Sequence, residues 1–354
     1  MDSTQSCGCS CTPGPGSLPC GCTQGEKETH GILTATSLIT LANRFDHFLA
    51  RWGINRMGHT VRPGLYRLGN PDENSPVLAS ANYTLSFDAL RSALSGIDAY
   101  LLVLDTKGIN VWCAAGKGTF GTAELVRSIE WSDLAHVVRH RTIILPQLGA
   151  PGISWPEVLR CSGFKVEYGP VRAGDLPRYL KTHTATPEMR SVRFPLADRL
   201  VLVPVELVHA AFPAVAGALI LFFLAGPLAA LAAITAVLAG TVAFPLLLPF
   251  IPTRDFSTKG LILGTIAALP VAGAFASNAS GPVWMNAAGT GMALLIMPAV
   301  TAYLALNFTG CSTFTSRTGV KKEIFSYVPI MAVMAVSGIL LGILLGLLGW
   351  LGVI

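Results

Sequence analysis

The sequence predicts an α/β domain built on a doubly wound parallel sheet, followed by an all-α transmembrane domain of five helices. Three observations carry this. Charge is unevenly spread: the 354 residues are 51% hydrophobic and only 13% charged, against about 25% charged in a typical soluble domain. From Val205 onward the only charged residues are Glu206, Arg254, Asp255, Lys259, Arg317, Lys321, Lys322 and Glu323. Before that point, short apolar strand-like runs alternate with helical patterns, which implies parallel strands joined by crossover helices. The expected organisation is a Cys-rich tail over residues 1–30, an α/β domain over 31–190, a linker over 191–205 and the membrane domain over 206–354.

In chain order, Leu38, Leu41, Phe45, Phe48, Leu49 and Trp52 recur at helical spacing and predict a helix over Thr34–Trp52. Pro63–Gly69 reads as a short strand, Asn70–Ser75 as a polar turn and Pro76–Ala81 as a second strand. A helix over Ser86–Leu94 follows, with Ser86 as its cap. Tyr100–Leu104 is a wholly apolar strand of the buried parallel kind. Thr122–Ile129 reads as helix, Thr142–Leu145 as strand, Ser154–Arg160 as helix, Phe164–Tyr168 as strand and Asp175–Lys181 as helix. Ligands of such sheets bind beyond the strand C-terminal ends. Ala81–Thr84, Asp105–Lys117 and Pro146–Gly152 should therefore share one rim.

The apolar stretches Leu207–Ala225, Leu228–Phe250, Gly260–Ser277, Met285–Leu306 and Ser326–Ile354 are each long enough to cross a hydrocarbon core of about 30 Å. With the first half inside, both basic loops (Arg254 and Lys259; Arg317, Lys321 and Lys322) fall on the inner side, in line with the positive-inside bias. That places the soluble domain and N-terminus in the cytoplasm and the C-terminus outside an inner membrane. Met1–Gly25 has neither the basic start nor the apolar core of a signal peptide. The near absence of ionisable groups inside the spans favours an anchor over a pump. Gly217, Gly240, Gly264, Gly273, Pro245, Pro270 and Pro298 admit two readings, close packing through small residues or broken helices of a transporter. The net charge of +5 is modest and the arginines are scattered, so nucleic acid is not an expected partner.

Of the eight cysteines, Cys113 is the most informative. It lies in Asn110-Val111-Trp112-Cys113-Ala114-Ala115-Gly116-Lys117, after a strand, three residues beyond an asparagine suited to cap a helix. Backbone N–H groups and the helix dipole favour a thiolate there, and Lys117 lies one turn later on the same face. Ala114, Ala115 and Gly116 are small enough for a flat partner to approach closely, and Trp112 adds an aromatic flank. The alternative is a small core residue after a strand. Cys7, Cys9, Cys11, Cys20 and Cys22 fit neither a zinc ribbon nor a ferredoxin spacing; capture of a soft metal ion, which the resemblance given below would make Hg(II), and an incidental role in a flexible tail both stay open. Cys161 is expected in the core, and Cys311 falls in an inner loop.

The octapeptide resembles the signature of the membrane-anchored corrinoid protein of anaerobic mercury methylation. Pro63–Tyr66 and Ser80–Asp88 resemble a relative, the corrinoid domain of the corrinoid iron–sulfur protein of acetyl-CoA synthesis. The resemblance covers about residues 55–185. It implies a Rossmann-like corrinoid-binding domain with a short cap helix, a cobalamin-type corrinoid, and Cys113 as lower axial ligand of cobalt. Asn110, Val111, Trp112, Ala114, Ala115, Gly116 and Lys117 would form the cofactor-binding motif, with Thr84 bonding corrin amide groups. The implied activity is a corrinoid-dependent methyltransferase passing a methyl group from cobalt to Hg(II), giving methylmercury. Implied partners are a ferredoxin-like protein with two 4Fe–4S clusters, which restores the cobalt, and a folate-linked methyltransferase as methyl source. The chain lacks the cluster cysteines of the iron–sulfur relative, which fits an external reductant. Two other readings stay open: a membrane corrinoid methyl carrier with another acceptor, and a transporter with a soluble sensing domain.

Overall fold

The computed structural model describes residues 31–55, 57–278, 282–312 and 317–353. Six strands form one mixed sheet: β1 (Leu33–Ala35), β2 (Gly64–Leu68), β3 (Val77–Ala81), β4 (Ala99–Leu104), β5 (Thr142–Leu145) and β6 (Lys165–Tyr168). Their order is β1-β2-β4-β3-β5-β6. Every neighbouring pair is parallel except β2 and β4, which run antiparallel with Gly64 opposite Val103 and Leu68 opposite Ala99. This departs from the all-parallel expectation. Only residues 69–76 separate β2 from β3, too few for the dozen or more residues that a parallel crossover requires.

The helices of this half are α1 (Leu41–Arg51), α2 (Thr84–Ala93), α3 (Val111–Lys117), α4 (Thr122–Trp131), α5 (Leu134–Val137), α6 (Trp155–Ser162), α7 (Leu176–Thr182) and α8 (Pro187–Arg190). Both sheet faces are covered. On one, Leu65, Ala79, Tyr100, Leu102, Leu104 and Ile143 pack with Leu125, Leu134 and Val158 from helices. On the other, Tyr66, Leu78, Leu101, Val103 and Ile144 pack with Phe87, Leu90, Leu176 and Tyr179. The period-two alternation along β4 thus feeds two cores, which explains why this strand is apolar throughout.

The expected helix over Thr34–Trp52 divides in two. Leu33–Ala35 pairs with β2 as an edge strand, and the helix begins only at Leu41. Arg91 holds the intervening turn by donating to the Thr36 and Leu38 carbonyls at 2.5 and 2.6 Å. Helix α2 also starts earlier than expected: Tyr83 occupies the cap position and Ser86 lies inside the first turn.

The remaining helices are α9 (Leu196–Leu200), α10 (Val203–Ala225), α11 (Pro227–Leu238), α12 (Phe244–Leu247), α13 (Phe256–Ala276), α14 (Val283–Asn307) and α15 (Arg317–Trp350). Five helical segments, Leu196–Ala225, Pro227–Leu247, Phe256–Ala276, Val283–Gly310 and Thr318–Trp350, are long and apolar enough to cross a membrane. A π-helical turn at Ala239–Ala243 joins α11 to α12. A Cβ on Gly260 would sit 2.5 Å from the Ala302 Cα, and one on Gly264 would sit 2.6 Å from the Pro298 Cα. At Gly260, Gly264 and Gly240, which faces Leu304, small residues serve close helix packing; no atom lies within 4 Å of a Cβ built on Gly217 or Gly273. Polar groups satisfy helix ends in this half. Buried Arg199 donates to the Pro245 and Leu246 carbonyls, and Glu323 accepts from the Ser257 backbone N–H.

The chain divides into two compact units. One takes in residues up to Thr40 and Met57–Arg190, the other Leu41–Arg56 and Ser191–Ile354. Helix α1 therefore groups with the apolar helices and not with the sheet whose sequence surrounds it.

Candidate functional site

The C-terminal ends of β3, β4 and β5 carry three segments to one rim: residues 82–84, 105–117 and 146–152. The middle segment presents Cys113. Asn110 caps α3, its Oδ1 accepting from the Cys113 backbone N–H at 2.9 Å, as the spacing anticipated. Gly118, at φ +84°, ends the helix after two turns. Cys113 is half-exposed and free of any disulfide.

The loop leading into α3 is fixed from β3. Buried Asn82 accepts at Oδ1 from the Thr106 N–H (3.0 Å), the Thr106 hydroxyl (2.9 Å) and the Gly108 N–H (3.0 Å). Its Nδ2 donates to Asp105 Oδ1 at 3.3 Å. The Asp105 backbone N–H donates to Glu124 on α4 at 3.0 Å. Lys107 and Gly108 both take positive φ. A Cβ on Gly108 would meet Thr60 Cγ2 at 2.8 Å, so glycine is required there on two counts. Sequence reasoning singled out the rim but not Asn82, Thr106, Gly108 or Glu124 as its organisers. The available signal was an Asn directly after one apolar strand and an Asp-Thr pair directly after the next, where buried backbone donors need acceptors.

Two residues of the octapeptide take places other than those expected. Ala114 and Ala115 are 0% and 6% exposed and belong to the core. Their small size serves packing: Ala115 lies against the turn Gln147–Gly152, where a Cβ on Gly152 would sit 3.0 Å from the Ala115 Cα. Of the three small residues only Gly116 is exposed. Lys117 is exposed, and Val111 and Trp112 are half-buried. Thr84 is on the rim but only 8% exposed, its N–H donating to the His59 carbonyl at 3.0 Å; that burial leaves its hydroxyl little access to a molecule above the rim. Tyr168, at the end of β6, donates to the Ile153 carbonyl at 3.1 Å, and burial pushes its phenol above the usual range.

Cys161 is exposed on α6, which corrects the expected core placement: Val158 takes the inward position instead. Cys7, Cys9, Cys11, Cys20 and Cys22 lie outside the described residues, as does the Cys311 side chain. Among the described residues no three His, Cys, Asp or Glu side chains gather as a metal site. Among the described residues of this rim, Cys113 is the soft donor open to a metal-bound cofactor.

Comparison with known proteins places relatives on this half. Residues 55–167 match the family described as CO dehydrogenase/acetyl-CoA synthase delta subunit. The gamma subunit of the acetyl-CoA decarbonylase/synthase complex from Methanopyrus kandleri is 39% identical over 124 residues, 34% of this chain and 26% of that subunit. The gamma subunit from Methanothermobacter thermautotrophicus is 30% identical over 178 residues, 45% of this chain and 38% of that subunit. The one from Methanocaldococcus jannaschii is 39% identical over 97 residues, 27% and 20% of the respective chains. The chain thus spans between 20% and 38% of the length of these relatives. The matched region holds the sheet rim, Asn82 and Cys113.

Proposed function

We propose that the chain is a membrane-anchored, Rossmann-like corrinoid protein that carries a methyl group on cobalt and delivers it to Hg(II). The observation that carries this reading is Cys113, half-exposed at the start of a capped short helix, on the rim where a mixed α/β sheet takes its ligands. The similarity of residues 55–167 to acetyl-CoA synthase subunits supports the corrinoid part. The octapeptide supports the mercury part.

The donor set fits the group. A thiolate is a soft, strongly donating ligand suited to tuning a corrinoid metal. When bound, the corrinoid supplies a cobalt that holds the methyl group and releases it to a soft electrophile. Cys113 would hold the cobalt and push electron density toward it. Asn110 holds the backbone from which the Cys113 side chain emerges, and Asn82 holds the loop before it. Gly116, Trp112 and Lys117 are the outward residues of α3 available to the corrin edge. Thr84, Val111, Ala114 and Ala115 support the rim from within. A ferredoxin-like protein with two 4Fe–4S clusters is the proposed source of the two electrons needed per methyl transferred as a carbanion equivalent. A folate-linked methyltransferase is the proposed methyl donor. The five apolar helices are read as spans of an inner membrane, with the sheet unit in the cytoplasm and the C-terminus outside.

The test is methyl transfer by the full chain reconstituted with corrinoid and reductant. Cys113→Ala is expected to abolish methylmercury formation and alter the visible spectrum of the bound corrinoid; full activity in this variant overturns the ligand assignment. Cys113→His should retain part of the activity, because imidazole ligates cobalt but donates less. A second reading, a methyl carrier with a protein or thiol acceptor, draws on the acetyl-CoA synthase similarity. Methylated protein that leaves Hg(II) unmethylated but supplies such an acceptor would favour it.

A further inference from the structure

Helix α1 is built the wrong way round for a helix on a water-soluble domain. Leu41, Phe45, Phe48 and Trp52 recur at i, i+4, i+7 and i+11 and share one face. That face is the outward one, with exposures of 84%, 62%, 51% and 36%. The opposite face carries Asn43, Asp46, His47 and Ala50, which are half-buried or buried. A soluble helix turns its apolar stripe to the core and its polar residues to water; here the order is reversed. Arg44 and Arg51 lie exposed along one flank of the apolar stripe.

Its position supplies the reason. The chain leaving α1 packs on the first apolar helix: a Cβ on Gly53 would lie 3.1 Å from Val205 and 3.8 Å from His209. Both belong to the first two turns of α10, which runs Val203–Ala225. At 1.5 Å per residue, α10 is about 34 Å long, close to a hydrocarbon core of about 30 Å. Its first turns therefore fall at the polar boundary of a bilayer. The outward face of α10 is apolar as well, Phe212 and Phe223 being more than 80% exposed.

We infer that α1 is an in-plane interfacial helix, its Leu41-Phe45-Phe48-Trp52 face sunk into the acyl–headgroup boundary of the leaflet from which α10 departs. The apolar face displaces lipid and the tryptophan sits at headgroup level, where amphipathic rings collect. Arg44 and Arg51 meet lipid phosphates while their stems stay along the apolar surface. This rests on the membrane reading of the five apolar helices and is independent of corrinoid binding.

The test uses the full chain in lipid nanodiscs. Trp52 emission is obtained as the difference between the parent and Trp52→Phe. In discs whose acyl chains are brominated close to the headgroups, this difference signal is expected to be blue-shifted and to lose most of its intensity, and aqueous iodide should barely affect it. Phe45→Ser with Phe48→Ser should release the helix, shifting Trp52 emission to the red and removing bromolipid quenching while the protein stays in the disc. A Trp52 signal quenched by iodide but not by bromolipid means that the helix lies in water and overturns the inference. A signal shielded from both means that protein, from this chain or a second copy, covers the face, and also overturns it. A chain that alkaline carbonate strips from native membranes overturns the membrane reading itself and this inference with it.

Discussion

Asn82 takes two hydrogen bonds from Thr106, one from its backbone N–H at 3.0 Å and one from its hydroxyl at 2.9 Å. Two adjacent parallel strands are thereby locked together just past their ends, where the loop toward Cys113 begins. Asn82→Ala leaves the Thr106 and Gly108 N–H groups without their acceptor, at about 1–3 kcal/mol per group, while the Thr106 hydroxyl keeps the Ile109 carbonyl at 2.7 Å. The expected outcome is a sheet unit destabilised by several kcal/mol, read as a lower urea midpoint, with weaker corrinoid binding. Unchanged stability would show that Asn82 does not organise the loop.

Gly152 is the floor on which α3 rests. Gly152→Ala drives a Cβ into backbone atoms of Ala115 and Phe120, which cannot rotate away. Overpacking of this kind costs about 1–3 kcal/mol. Because α3 must move, the visible spectrum of bound corrinoid should change in this variant, whereas Gly174→Ala, where a Cβ meets no atom within 4 Å, should leave it unaltered.

Cys113 and Cys161 are both accessible free thiols, but only one is on the rim. Iodoacetamide labelling followed by mass spectrometry should modify both in the apoprotein. Corrinoid should protect Cys113 and leave Cys161 reactive. Equal labelling of Cys113 with and without corrinoid would count against cobalt ligation.

The sheet unit should lose stability at both ends of the pH scale. Burial raises the Tyr66, Tyr168 and Tyr179 phenols above the ordinary 10.0. Their contribution is complete below pH 10 and is lost as pH rises through the higher folded-state values. At the acid end, the Ser75 hydroxyl, with backbone N–H groups, holds the Asp72 carboxyl below its ordinary 3.8. That contribution is present above this value and fades as pH falls through the lower one. Unfolding midpoints against pH should show a shallower alkaline fall in Tyr66→Phe and a shallower acid fall in Ser75→Ala.

Gly264 faces the Pro298 Cα and the Thr301 side chain, and Thr301 itself donates to the Ala236 carbonyl at 3.0 Å. Gly264→Val should separate α13 from α14 and lower the thermal midpoint in detergent. Gly273→Val, with no neighbour within 4 Å, should leave it nearly unchanged.

Particular residues explain what could be read from the sequence. The apolar runs Tyr100–Leu104 and Thr142–Leu145 gave their strands directly, because a strand buried on both faces has few other compositions. Asn110 announced its cap, since it precedes a short helix that needs one. The antiparallel course of β2 was legible in the short connection of residues 69–76, but the alternation of strands and helices, which implies a parallel sheet, does not weigh that length. Ala114 and Ala115 look the same in a sequence whether small to admit a ligand or small to pack beneath a turn. Cys161 was misplaced because it shares a helix face with buried Val158 three residues earlier, and the period does not mark where along that face burial ends. Asn82 went unnoticed because its partners, Thr106 and Gly108, lie beyond an intervening helix and strand.

The polypeptide passes between its two compact units three times, near residues 40, 56 and 190. A protein hinged on one linker can be freed by one cut. Here a single cleavage between Arg190 and Leu196 would leave two fragments still fastened, since α1 stays with the apolar helices while its flanking sequence on both sides belongs to the sheet. Shedding of the sheet unit by a protease would demand several incisions, and a nicked molecule would still migrate as one particle until denatured.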